Sequence, residues 1–98
     1  MTADYLGAVL DAKAASAPLG PVQRDILEAL AANGGLTAAR LAEHLRCDRS
    51  KVDQSLHTLR DRGLARIAEY QRRAGKSAAV YVITTTGRAA LEAAKREA

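Results

Sequence analysis

The chain has no phenylalanine and no tryptophan, and only three tyrosines, two prolines, one methionine and one cysteine in 98 residues. Without Phe and Trp, the interior must be built from Leu, Ile, Val and Ala. At about 25 cal/mol per Å² of buried apolar surface, such a core is modest, so a second copy that buries further area is expected. The tyrosines at 5, 70 and 81 are too few and too scattered to form the aromatic platform that single-stranded nucleic acid stacks on. A lone Cys47 cannot close an internal disulfide, which points to a reducing compartment. No run of about 18 apolar residues occurs. The N-terminal stretch lacks the basic flank and continuous apolar segment of a secretory signal. A cytoplasmic protein without a membrane partner is therefore expected.

Catalytic and cofactor signatures are also missing. Gly34-Gly35 is not followed by the Lys-Ser/Thr of a phosphate-binding loop, and no Ser-His-Asp set or paired-carboxylate cleft can be assembled. His44 and Cys47 are three residues apart, but His57, the remaining soft ligand, falls on the outer face of a different helix. A structural zinc site needs four ligands. No enzyme, cofactor or metal site is expected, and Cys47 reads as a packed, inert thiol.

What the chain does carry is basic charge in one place. Residues 40–76 hold ten Lys/Arg against five Asp/Glu, a net of +5, while the remainder holds five against six, a net of −1. Excess positive charge confined to one stretch suits a polyanionic partner, although a surface of this balance can also simply be solvated.

The periodicity predicts a single domain over 1–98, with an N-terminal helical segment at 1–18, a core at 21–84 and a C-terminal helix at 85–98. In the first helix, over 2–16, Thr2 is the N-cap and Tyr5, Leu6, Val9 and Leu10 share a face. Pro21 suits the first turn of the next helix, whose stripe is Val22, Ile26, Leu27 and Leu30, and Asn33-Gly34-Gly35 ends it. Thr37 caps a third helix bearing Leu41, Ala42 and Leu45. After a break at Arg46-Cys47, Asp48 caps a fourth with Val52, Leu56 and Leu59, closed by Gly63. Strands are expected at 64–70 and 79–83, joined by an open, basic loop at 71–77. Thr84–Thr86 then start the last helix, with Ala90, Leu91 and Ala94 inward. The fold class expected is mainly α with a small β-hairpin.

Two short helices joined by a tight break, followed by a hairpin with a basic tip, form a helix-turn-helix unit with a wing. In such a unit the second helix enters the major groove of duplex DNA and the first braces it. With Val52, Leu56 and Leu59 inward, a helix over about 48–61 turns Ser50, Gln54, His57 and Asp61 outward, flanked by Lys51 and Thr58. Gln pairs bidentately with adenine, and Arg or Lys with guanine. Gln54, Lys51 and Arg49 are therefore the candidate base or groove contacts, and Ser50, Ser55 and Thr58 the candidates for phosphates or supplementary readout. Asp53 and Asp61 would be repelled by phosphate and are expected off the path. In the wing, 71–78, Arg72, Arg73 and Lys76 are candidates for phosphate or minor-groove contact. The competing reading is a winged-helix protein-interaction module that reads no DNA, as happens when a fold is reused.

The run ILEALAANGGLTAARLAEHLRCDRSKVDQSLHTLRDRGLARI, followed by AVYVITTTGRAALEAA, resembles the winged-helix transcription regulators of the MarR and ArsR type. The resemblance covers residues 22–94, and the terminal helices are shorter than is typical of MarR-like chains. It implies a reading helix carrying Arg49, Ser50, Lys51, Gln54, Ser55 and Thr58, a DNA-contacting wing with Arg72, Arg73 and Lys76, and a homodimer through the terminal helices.

Overall fold

The computed structural model describes residues 18–97. The helix expected over 2–16 lies outside the described residues. Helix α1, Pro21–Asn33, starts with Pro21 at a position whose N–H would have no helical partner. It stops at Gly34, whose left-handed backbone (φ 78°) returns its N–H to the Leu30 carbonyl. The two-residue strand β1, Leu36–Thr37, leads into α2, Ala38–Leu45, where the Thr37 hydroxyl accepts the Arg40 N–H at 3.2 Å. The break after α2 turns on Arg46, which is held left-handed at φ 52°. Cys47 then closes the corner by donating its N–H to the Ala42 carbonyl at 3.0 Å. A side-chain-bearing residue costs about 1–2 kcal/mol in that conformation. The corner therefore rests on the packing of the helices it joins.

Helix α3 spans Arg49–Asp61 and buries Val52, Leu56 and Leu59. Asp48 occupies its N-cap position in extended conformation but makes no side-chain capping hydrogen bond, in contrast to the expected cap. Strands β2, Ala65–Arg73, and β3, Lys76–Ile83, complete an antiparallel sheet in the order β1-β3-β2. Helix α4, Thr85–Glu97, closes the domain.

The wing departs from expectation. Instead of an open loop over 71–77, the ladder continues to the Arg73–Lys76 pair, and Ala74-Gly75 alone makes the turn. Both turn residues have positive φ, 50° and 78°, as a two-residue turn matched to the twist of a hairpin requires. Ala-Gly lacks the Asn-Gly or Asp-Gly signature of that turn, and the polar flanks carry no apolar alternation. The strands were therefore hidden inside what reads as loop.

Paired residues share a sheet face, and the pairing slips once, between Ile67 and Glu69. Ala68 is the extra residue. Ala65, Ile67, Tyr70 and Arg72, opposite Ile83, Tyr81, Ala79 and Ser77, thus lie on one face. Without the bulge, Glu69 and Gln71 would take the places of Tyr70 and Arg72.

Ile26, Leu27, Leu30, Leu41, Val52, Leu56, Leu59 and Leu64 form the fully buried centre, with Ala90 and Leu91 of α4 closing it. Tyr81, Ile83 and Cys47 pack against its margin. One junction fixes the base of the wing. The Thr84 hydroxyl donates to the Gly63 carbonyl at 2.6 Å and accepts the Gly87 N–H at 2.9 Å, while the Thr84 N–H reaches the Leu64 carbonyl at 3.1 Å. Gly87 is pressed so closely to Leu64 that a Cβ there would overlap the Leu64 carbonyl oxygen. The end of α3, the base of the wing and the start of α4 are locked together.

Candidate nucleic-acid interface

Three buried side chains on one side of α3 fix where its other residues point. Arg49, Ser50, Lys51, Gln54 and Thr58 are exposed, whereas Ser55 is half-buried. The exposed residues divide between two sides of the helix. One flank faces the sheet: His57, Arg60 and Asp61 line a cleft with Ala65, Ile67 and Tyr70 of β2, and Arg49 and Asp53 line another with Ser77, Ala79 and Tyr81 of β3. Side chains here pair along the helix, with Arg49 Nε 3.2 Å from Asp53 Oδ1 and His57 Nε2 3.4 Å from Asp61 Oδ2. Both pairs are more than half exposed, so they orient side chains more than they stabilise the fold.

At about 100° per residue, the strip turned away from both core and sheet runs through Ser50, Lys51, Gln54 and Thr58. It carries one cation, one amide and two hydroxyls, and no carboxylate within its first two turns. Asp53, expected off the path of a nucleic acid, sits on the sheet-facing flank, where it holds Arg49. The Thr58 hydroxyl donates to the Gln54 carbonyl at 3.1 Å. With its proton engaged there, exposed Thr58 has its methyl and lone pairs, but no free donor, to offer a ligand.

In the wing, Arg72 is exposed and the Ala68 bulge places it on the α3-facing side of the sheet, opposite Ser77. Lys76 is exposed beside the turn, and Arg73 pairs with it in the ladder. The bulge also brings Tyr70, 66% exposed, to the α3 side. A third groove, of about 810 Å³, separates α2 from the wing and is lined by Thr37, Ala39, Arg40, Glu43, Gln71, Arg72 and Ala78. Arg40 and Tyr70 were not among the residues the sequence pointed to. Arg40 lies three residues past the Thr37 cap on a helix read only as a brace, and Tyr70 reaches this face only through the bulge.

Residues 19–68, just over half of the chain, match the family model described as a helix-turn-helix domain. The chain belongs to the helix-turn-helix domain family. No curated protein sequence matches it. Among solved structures, the YusO protein from Bacillus subtilis superposes with a TM-score of 0.68 at 19% identity, over 80% of this chain and 54% of that one. A MarR family transcription regulator gives 0.67 at 23% identity over 98% and 62%. Bacillus subtilis PadR, in complex with operator DNA, gives 0.68 at 19% over 76% and 46%. The chain thus spans about half to three-fifths of the length of these proteins. At such identities the likeness establishes the fold: a winged helix of the kind found in MarR family regulators, mostly helical with a three-stranded antiparallel sheet. Among the described residues, no helix is long and apolar enough to cross a membrane.

Proposed function

We propose that this protein binds double-stranded DNA sequence-specifically as a transcriptional regulator, with α3 in the major groove and the wing on phosphate or the minor groove. One observation carries the reading: the first two turns of the outward strip of α3 collect Ser50, Lys51 and Gln54 without a carboxylate, because Asp53 is on the sheet-facing flank, paired with Arg49, and Asp61 comes only in the last turn. A strip of this width fits a major groove about 12 Å across. Lys51 suits guanine O6 or N7 and Gln54 suits adenine. Arg49, steered by Asp53, reaches the groove edge on the wing side. Ser50 lies in the first helical turn, where unbonded N–H groups assist a phosphate. Thr58, its proton committed, fits contact with a thymine methyl better than donation to phosphate, and half-buried Ser55 plays the smaller part. Arg72, Arg73 and Lys76 supply the wing contacts. The DNA complex of the similarly folded PadR agrees with this reading.

The modest, phenylalanine-free core favours a homodimer through the terminal helices, with the two reading helices about 34 Å apart on an inverted repeat. Selection of sites from a random duplex pool tests the proposal. The wild-type protein should enrich one motif, and Gln54→Ala should relax the base preference at one position of each half-site. A pool left unenriched by the wild type would dismiss sequence-specific reading.

A further inference from the structure

We infer that Arg40 and Arg72 form a two-guanidinium clamp on a single DNA backbone phosphate, at the N-terminal end of the reading helix. The inference rests on the DNA-binding proposal above and deepens it. The two arginines come from different elements, the first turn of α2 and the outer half of β2, yet both line the groove between α2 and the wing. That groove adjoins the cleft at the start of α3: Thr37, Ala39 and Ala78 line both, and Arg49 and Asp53 line the second. A duplex holding α3 in its major groove has a backbone strand passing the end of that helix, and here the strand meets an open channel. Its small side chains, Ala39 and Ala78, let a sugar-phosphate chain approach closely.

Electrostatics point the same way. Arg24 and Arg49 are held by carboxylates, whereas among the described residues neither Arg40 nor Arg72 has an ion-pair partner. Both guanidinium groups are therefore available, and a guanidinium binds a phosphate with paired N–H donors. Glu43, one turn after Arg40, also lines the groove and opposes an anion. It leaves the channel with a net charge of +1, enough for one phosphate contact and poor for several. The bulge at Ala68 sets which sheet face Arg72 takes, and Gln71 and Ala78, paired on the other face, border the same groove.

The test is the salt dependence of binding to a random-sequence duplex, read by fluorescence anisotropy across a series of KCl concentrations. Each phosphate contact contributes about 0.9 to the slope of log K against log salt. Arg40→Ala and Arg72→Ala should each weaken binding about tenfold, as expected for losing a hydrogen bond to a charged group. The double variant should be little worse than either single one and should lose about 0.9 of slope in total. Ala39→Leu, which fills the channel and leaves both guanidinium groups in place, should weaken binding comparably, and Glu43→Gln should strengthen it about two- to threefold. Multiplying losses with a slope change of about 1.8 would mean two separate phosphates and would overturn the clamp. Unchanged affinity in Ala39→Leu or in the double variant would overturn it as well. If the wild-type protein bound no duplex at low salt, the DNA-binding proposal and the clamp would fall together. If it bound and only these variants were silent, the clamp alone would fall.

Discussion

Along β2 and β3 the rules of construction change over a short distance, with Val80, opposite Glu69 just past the bulge, still buried. Up to Ile67 and Tyr81 the hairpin packs on the core, with Ala65 buried and Ile83 against the central cluster. Past the bulge at Ala68, Tyr70, Gln71, Arg72 and Lys76 to Ala78 are exposed, and cross-strand hydrogen bonds and a two-residue turn define the ribbon. The inner domain is held by side chains that interlock and can be damaged by losing a few methyl groups. The outer ribbon is held by backbone, so its side chains are free to face a ligand. Stability and binding should therefore separate cleanly by position.

Four changes would break or sharpen that contrast. Leu56→Ala removes a fully buried side chain of α3 and should cost about 3 kcal/mol of unfolding free energy in urea titrations. A cost below about 1 kcal/mol would show the centre to be loosely packed. Gly87→Ala forces a Cβ onto the Leu64 carbonyl and Ile83 and should cost about 2 kcal/mol by overpacking; an unchanged melting temperature would mean that the Thr84 junction is not rigid. Deletion of Ala68 should reduce stability by about 1 kcal/mol, because the bulge sits at the boundary between the two halves, next to buried Val80. It should nonetheless lower duplex affinity as much as Arg72→Ala does, since Arg72 would change faces; wild-type affinity would separate the bulge from function. The smallest effect is expected from Ala74→Asn. Asn tolerates the left-handed turn position better than alanine, so the hairpin should gain about 0.5 kcal/mol with DNA binding unaltered. A loss of stability would contradict the assigned turn.

The legible parts of this fold are those where local chemistry and burial agree. The start and stop of α1 and the start of α2 could be read from Pro21, Gly34 and Thr37. The inward residues of α3 followed from the spacing of Val52, Leu56 and Leu59. β1 was not legible, because two residues that gain their partners 43 or more positions away leave no periodic trace. The bulge was hidden for a related reason: Glu69 to Arg73 are all polar or amphipathic, so no apolar residue marks which face is inward. The outward strip of α3 could be drawn on a helical wheel, but the role of Asp53 as a hold on Arg49 needed coordinates. So did Arg40, whose proposed role depends on the groove it lines together with residues of the wing.

Backbone amide shifts of the labelled protein during titration with a duplex carrying its selected site would test the central claim most directly. The largest changes should fall on Ser50, Lys51 and Gln54, with a second group at Arg72 to Lys76 and little change at Ala90 and Leu91. Shifts concentrated on α4 or on the α1 surface, with the outward strip of α3 silent, would contradict the assignment of that strip as the DNA-reading surface.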